Sequence, residues 1–399
     1  MTTPFFITLF IPLSVLASFT AHAAVPPSKT FKYINHGDFG EYIVEYHAYY
    51  RPLDIAKFPF LLCFYNATPN AYILGLRMGH RRSESIMRWV WDANRGKPVH
   101  ENTTLTFGSD RNLVLADVDG TVAWQTGTAN KGVVGLDLLP NGNLVLHNSK
   151  GEFVWQSFDH PTDTLLVGQS VRATGPNWLI SRASDVDPSN GPYTFGMEKR
   201  FLAMYYQSEK SYKPLLCYKS DDSGTYTLSR PKYNSTYLML RVDVDGNLRI
   251  YTYDENVDWG AWEVTYVLFD RDDGHESECQ LLRRCGSLGV CEDDQCVACP
   301  KPQGLLGWSK SCAPPALPPC KGGANMDYCK VEGVEHYTSA YKEGDPMKLM
   351  DCRAKCNKDC KCLGFFYRAE SSKCLLVADL GTLIKVSNAS HVGYIKVPK

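Results

Sequence analysis

Net charge is nearly absent from this chain: 42 Lys and Arg against 43 Asp and Glu leave a formal −1 over 399 residues. With no basic excess to neutralise phosphates, nucleic acid and anionic membrane surfaces are excluded as natural partners. Blocks of like charge and low-complexity tracts are also missing, which excludes long solvated tails. There is no His-Glu-x-x-His, no Gly-x-Ser-x-Gly and no glycine-rich phosphate loop, so the common hydrolase and nucleotide motifs are unavailable. Beyond the first residues no run of 18 uncharged apolar residues occurs, and the mature chain is not expected to span a membrane. Helical periodicity is missing until about residue 345, so the first two thirds are expected to be all-β.

What is present points to export. An apolar run from Phe5 to Leu16 ends in the small-residue pattern Ala21-His22-Ala23, which reads as a secretory signal peptide over residues 1–23. Of the 15 Cys, 13 fall between Cys279 and Cys374, a density suited to an oxidising compartment. Four Asn-x-Ser/Thr acceptors, at Asn66, Asn102, Asn234 and Asn388, make a secreted glycoprotein the expected state.

The chain also repeats itself. "SDRNLVLADVDGTVAWQT" (109–126) returns 31 residues later as "PNGNLVLHNSKGEFVWQS" (140–157), and more weakly as "VDGNLRIYTYDENVDWGAW" (244–262). Each copy reads as a hairpin. "NLVL" alternates at period two, and "DVDG" or "NSKG" supplies turn residues that tolerate positive φ. In each copy a Trp follows the Asn by 12 residues (Trp124, Trp155, Trp259), which predicts a shared centre filled by Trp.

"WVWDANRGKPV" (89–99), the two "NLVL" units and "FVWQSFDHPTDTLLVGQS" (153–170) together resemble the bulb-type mannose lectin domain, in the version found in plant S-locus glycoproteins and their receptor kinases. With "FPFLLCFYNATPNAYILGLRMG" (58–79) and "GTLIKVSNASHVGYIKV" (381–397), residues 25–399 as a whole resemble the epidermis-specific secreted glycoprotein family of plants. The resemblance implies a mainly β fold of two tandem β-prisms, at 40–160 and 161–272, the second degenerate and including the third copy. Each prism would hold three four-stranded sheets around a pseudo-threefold axis, with Trp near that axis.

In that lectin family a Gln-x-Asp-x-Asn-x-Val-x-Tyr strand reads mannose, its polar groups meeting hydroxyls and its Val giving an apolar face. Carried over position by position, the first copy keeps Asp110, Asn112 and Val114 but has Gly108 and Ala116 at the ends. The second keeps Asn143 and Val145, with Asn141 for Asp and with Leu139 and His147 at the ends. The third keeps Asp245, Asn247 and Tyr251, with Asp243 for Gln and Arg249 for Val. No copy is intact, and a polar site loses affinity steeply when partners are missing, so ordinary mannose binding is not expected here. Asx-x-Asn before an apolar strand is also an ordinary turn entry.

From Cys279 the composition changes. Six Cys in "CQLLRRCGSLGVCEDDQCVACPKPQGLLGWSKSC" (279–312) mark a unit too small to bury a sufficient core without cross-links. Spacing alone leaves 15 connectivities open. The segment resembles an EGF-like module (279–313), which implies Cys279–Cys291, Cys285–Cys296 and Cys299–Cys312. "APPALPP" (313–319) reads as a stiff linker. Beyond it, a short helix over Met347–Asn357 with Cys352 and Cys356 on one face, followed by the strands "KCLGFFY" and "KCLLVA", resembles a small α+β PAN/apple domain (320–399). That resemblance implies Cys352–Cys374 and Cys356–Cys362, with Cys360 reaching Cys320 or Cys329. An odd Cys total leaves at least one thiol over, and Cys217 is the first candidate from its isolation.

Catalysis finds little support. "SFDHPTD" gathers Ser157, Asp159, His160 and Asp163, but triad members normally converge from distant segments, and turn chemistry accounts for this string. "DVDGT" and "DVDGN" lack the closing Glu of a calcium loop. In so thiol-rich a secreted chain "CEDDQCVAC" favours disulfides over zinc. The expectation is a secreted, non-catalytic protein of the plant cell wall or apoplast, with no metal or cofactor. It would recognise wall glycans or glycoproteins, or a receptor ectodomain as co-receptor or decoy. The rival reading is a structural wall glycoprotein that uses the lectin fold as a scaffold.

Overall fold

The computed structural model describes residues 25–42, 44–79, 86–172, 178–209, 214–220, 226–228, 236–272, 276–319 and 326–399. The expected signal peptide, Asn234 and Cys320 lie outside them. Strands dominate, and Leu349–Lys358 is the one α-helix among the described residues.

Three sheets build the first unit. Tyr49–Lys57, Phe60–Thr68, Ala71–Met78 and Arg88–Asp92 form one in that order. Phe31–Ile34, Thr104–Phe107, Leu113–Ala116 and Val122–Gln125 form another. The third has three strands, not four: Val133–Leu138, Leu144–Asn148 and Phe153–Gln156. The hairpin turns close as the sequence suggests. Gly120 and Gly151 adopt φ of 85° and 80°, and each donates its N–H three residues back, to Asp117 and Asn148.

One detail of register recurs in every sheet. Leu76 faces Trp91, Leu115 faces Trp124 and Leu146 faces Trp155, and a register shift follows each pair at once. Such a bulge twists its strand and re-aims the side chains beside it. The three Trp meet edge-to-face, with ring centroids 5.7, 5.9 and 6.1 Å apart. Each such pair is worth about 0.5–1.5 kcal/mol beyond area burial.

The shared Trp centre therefore exists, but Trp259 is not part of it. The third copy has a longer turn between Leu248–Asp254 and Trp262–Val267, and Trp259 stands on that turn, 69% exposed. At the register position of Trp124 and Trp155 the third copy places Tyr266, opposite Ile250, and the same shift follows. The 12-residue spacing is a coincidence of loop length. The true third Trp of the axis, Trp91, comes from "WVWDANRGKPV".

A second unit again has three sheets. Thr164–Leu166, Thr236–Val242, Leu248–Asp254 and Trp262–Val267 make one, and Leu179–Arg182, Asn190–Met197, Leu202–Tyr206 and Leu215–Lys219 another. The third is reduced to Ser170–Val171 paired with Tyr226–Thr227. The two units share apolar packing: Met239, Tyr251, Tyr253 and Ala261 lie in the same buried cluster as Leu76 and Trp91.

Buried ions cross the same junction. Arg241 of the second unit donates to Glu45 Oε1 (2.7 Å) and to the carbonyl of Trp89. Arg95 of the first unit binds Asp92 (2.9 Å) and Asp163 (2.7 Å) and donates to the carbonyl of Ile180. Burial would raise the Asp163 carboxyl, but the guanidinium groups of Arg95, Arg241 and Arg182 outweigh it and hold its pKa at about 2.

In the C-terminal third, Leu288–Glu292, Gln295–Lys301 and Gly304–Gly307 form a small sheet that is not autonomous. Leu288–Glu292 pairs in parallel with Gly381–Lys385 of the final segment, giving one five-stranded sheet with Val334–His336 at its far edge. A second sheet orders Asp327–Glu332, His391–Val397, Gly364–Arg368, Lys373–Val377 and Asp345–Pro346. The helix Leu349–Lys358 is pinned by Cys352–Cys374 and Cys356–Cys362. The buried ammonium of Lys396 donates to the carbonyls of Cys356 (2.7 Å) and Asp359 (3.1 Å) at the helix end, where the dipole favours a cation.

Candidate carbohydrate-binding surface

The Asn of each repeat copy is a clasp inside its own hairpin. Asn112 donates from Nδ2 to Gln125 Oε1 (2.8 Å), and its Oδ1 accepts from Thr126 Oγ1 (3.0 Å) and Thr128 N (3.1 Å). Asn143 repeats this with Gln156 (2.8 Å), Ser157 Oγ (3.2 Å) and Phe158 N (3.3 Å). Asn247 donates to the carbonyl of Phe269 (2.8 Å) and accepts from Phe269 N (3.1 Å). All three are buried. The residue two before each, Asp110, Asn141 or Asp245, accepts the backbone N–H of that Asn at 3.3, 3.2 and 2.9 Å. These are Asx turns that start the strand. Val114 and Val145 face Gln125 and Gln156 across the ladder, and Val145 is buried.

The third copy also fills its own pocket. Arg249 ties Asp243 (2.7 Å) to Asp245 (2.7 Å), and Tyr251 donates to Asp243 Oδ2 (2.8 Å). Burial raises the Asp243 carboxyl against the pull of Arg241 and Arg249, and raises the Tyr251 hydroxyl, whereas the Asp245 and Asp243 carboxylates hold Arg249 charged against burial. In the second copy His147, which takes the Tyr place, pairs with Asp137 at 3.0 Å. The structure thus brings together the members of each copy named from sequence, but around one another. The three Asn clasps and the Asp243, Asp245, Arg249 and Tyr251 cluster are bonded within their own copies.

The string Ser157, Asp159, His160 and Asp163 disperses. Ser157 Oγ accepts from Leu144 N (3.0 Å), Asp159 accepts from Gln156 (3.0 Å), and Asp163 belongs to the Arg95 pair. His160 lies flat on Trp155, with centroids 5.5 Å apart and planes 14° off parallel.

That stacked pair floors a concavity the strand pattern did not reveal. A cleft of about 380 Å³ opens at the end of the Trp axis, lined by Trp91, Trp124 and Trp155, by Gln125 and His160, and by Asn190 of the second unit. The carbonyl of His160 accepts from Trp91 Nε1 (2.9 Å), which fixes this wall. The sequence signal that bore on it was "WQSFDHP", where His160 follows Trp155 by one turn; Asn190 gave none, because it arrives from a different sheet.

Elsewhere the predicted sites divide. Cys279–Cys291, Cys285–Cys296, Cys299–Cys312, Cys352–Cys374 and Cys356–Cys362 are all bonded. Cys360 is also disulfide-bonded, and Cys329 is a free thiol, which removes Cys329 as its partner. Cys217 is free as expected, and so is Cys63. Of the glycan acceptors, Asn102 and Asn388 are exposed. Asn66 is not: it is 6% exposed on a central strand, with an unpartnered Oδ1, so a glycan has no room there. Among the described residues no cluster of metal-ligating side chains occurs, and no helix is long and apolar enough to cross a membrane.

Residues 88–181 match the family described as D-mannose binding lectin. EP1-like glycoprotein 2 of Arabidopsis thaliana is 44% identical over 98% of this chain and 99% of its own length. The chain belongs to the EP1-like family of epidermis-specific secreted glycoproteins. The family member from Daucus carota, epidermis-specific secreted glycoprotein EP1, is 49% identical over 78% of this chain and 93% of its own. Further away, the putative receptor protein kinase ZmPK1 of Zea mays is 28% identical over 77% of this chain but 41% of its own length. A solved two-domain lectin, the fetuin-binding protein of Scilla campanulata, is 14% identical over 61% of this chain and 88% of its own, with a TM-score of 0.17, too low to support a shared arrangement. As an EP1-like protein the chain is a secreted, disulfide-rich glycoprotein with a lectin-type β fold.

Proposed function

We propose that this EP1-like glycoprotein is a non-catalytic recognition protein of the plant cell wall or apoplast that binds wall glycans or glycoproteins. What carries the reading is the intact lectin scaffold: three sheets around three packed Trp, within a segment that matches a mannose-binding lectin family. Ordinary mannose binding at the three strand edges is not part of it, because Asn112, Asn143 and Asn247 are committed to their hairpins. Dispersal of the one string of triad residue types supports a role without catalysis. The PAN-like segment adds a surface for protein contact, and the receptor kinases among the relatives make a receptor ectodomain a fitting partner.

The test is a glycan array probed with the purified, oxidised, full-length protein. Binding to wall-type glycans is expected. A blank array overturns the reading and favours the structural glycoprotein, a reading that the self-satisfied strand edges already support.

A further inference from the structure

We propose that the cleft at the end of the Trp axis is a binding site for a neutral hexopyranose ring, assembled only where the two β-prisms meet. The inference rests on the glycan-recognition reading and gives it a place.

The cleft's chemistry selects the ligand class. Its volume of about 380 Å³ falls within the usual range of ligand pockets, about 300–1,000 Å³. Its floor is aromatic: Trp124 and Trp155 meet at 74°, and His160 lies parallel on Trp155. A pyranose presents one face of C–H groups that suits such a floor, and a rim of hydroxyls that needs neutral donors and acceptors. Those are present. Gln125 commits its Oε1 to Asn112 at 2.8 Å, while its Nε2 makes no hydrogen bond among the described residues. The exposed amide of Asn190 and the indole N–H groups of Trp124 and Trp155 likewise donate to no group among the described residues.

A charged ligand is disfavoured by the same geometry. The two full charges on the wall, Arg95 and Asp92, are paired with each other at 2.9 Å, and Arg95 also binds Asp163 at 2.7 Å, so neither an unpaired cation nor an unpaired anion awaits a charged ligand. A wholly apolar ligand would strip water from the Gln125 and Asn190 amides without replacing their hydrogen bonds. Those two amides come from different units, Gln125 from the strand Val122–Gln125 and Asn190 from Asn190–Met197. A lone first prism would lose half the polar rim.

The experiment titrates the full-length protein with methyl α-mannopyranoside, methyl β-galactopyranoside and methyl β-glucopyranoside. Binding is followed by calorimetry and by Trp fluorescence, beside the glycan array. At least one glycoside is expected to bind saturably and to change the fluorescence. Asn190→Ala and His160→Ala, both at exposed positions, are expected to weaken it about five- to tenfold with thermal unfolding unchanged. Trp124→Phe keeps a ring but removes the N–H, and is expected to weaken binding a few-fold. Unchanged affinity in both Asn190→Ala and His160→Ala, or no response to any glycoside beside a positive array, overturns the cleft and leaves glycan recognition standing. A blank array together with no glycoside response overturns both.

Discussion

The lectin half and the C-terminal third of this chain solve one problem in opposite ways. In the described residues up to 272 both cysteines, Cys63 and Cys217, are buried and unpaired. Order there comes from fully buried side chains such as Leu62, Phe64, Leu76, Phe107 and Leu115, from the Trp triangle and from the Asn clasps. From Cys279 onward, disulfide bridges tie the segments together, and two of the apolar clusters are built mainly of half-cystines, Cys279, Cys285 and Cys291 in one and Cys352, Cys356, Cys362 and Cys374 in the other. The difference teaches where cross-links are needed. Repeated hairpins bury a continuous core, whereas a cysteine module of this size cannot, and even when bridged it leans on the neighbouring strand Gly381–Lys385.

Reduction should separate the two halves most sharply. Each native bridge in a small module is worth about 2–5 kcal/mol, so dithiothreitol under otherwise native conditions is expected to unfold the C-terminal third. Limited proteolysis with mass spectrometry should then cut within 279–374 and spare the sheets before residue 272. Burial pushes the Cys63 and Cys217 thiols up to about 12, so neither should react with iodoacetamide while the lectin half stays folded. Labelling of both on reduction alone would show that the halves are one cooperative unit. The converse experiment is Trp155→Ala. It removes one corner of the Trp triangle and is expected to cost about 3–5 kcal/mol, exposing Cys63 to labelling at lower urea while the C-terminal bridges remain.

The two halves also differed in how far they could be read from sequence. The bridges were legible through the family resemblance, since spacing alone left 15 connectivities open for the first six Cys. The hairpins were legible because period two, turn residues and repetition all agreed. What misled was counting along the chain. Trp259 matched a 12-residue spacing but sits on a long turn, since register follows the ladder and not the loop, and Tyr266 holds the aligned place. Asn66 satisfied a glycan acceptor pattern on a strand whose burial that pattern does not encode. The axial cleft was illegible because Asn190, from the second unit, lines it beside Gln125 and His160 of the first, a juxtaposition with no local signature.

Where the halves meet, acidity should act. His336 is buried between Tyr337 and Phe366, bonded to Thr338 Oγ1 (2.7 Å) and the carbonyl of Asp379 (2.9 Å). Burial lowers its pKa from 6.5 to about 4. The unfolded chain therefore takes up a proton below pH 6.5 that the folded chain refuses until about pH 4. The contribution is complete above pH 6.5 and is lost as pH falls toward 4, to a total of about 3 kcal/mol. Urea midpoints at pH 7, 5.5 and 4.5 should fall in that order, and His336→Gln should flatten the trend. A wild-type trend retained in full by the variant would assign it to carboxylates.

The finest comparison lies within the lectin half. Asn143 and Asn247 occupy one position in two copies, yet Asn143 bonds to the side chains of Gln156 and Ser157 and to one backbone N–H, at Phe158, while Asn247 bonds only to backbone, at Leu248 and Phe269. Asn143→Ala strands Gln156 Oε1, which is partly solvated, together with the buried hydroxyl of Ser157 and the backbone N–H of half-buried Phe158. Asn247→Ala strands a buried backbone N–H and carbonyl, groups that cannot turn toward water. Losing such a clasp costs about 1–3 kcal/mol, and the Asn247 change should fall at the upper end of that range. Thermal melts of the two single variants, with glycan binding measured in parallel, check both parts. A loss of binding in Asn143→Ala without a loss of stability would return that strand edge to the list of sugar sites, whereas a stability loss with binding intact establishes that the copies keep their Asn for folding.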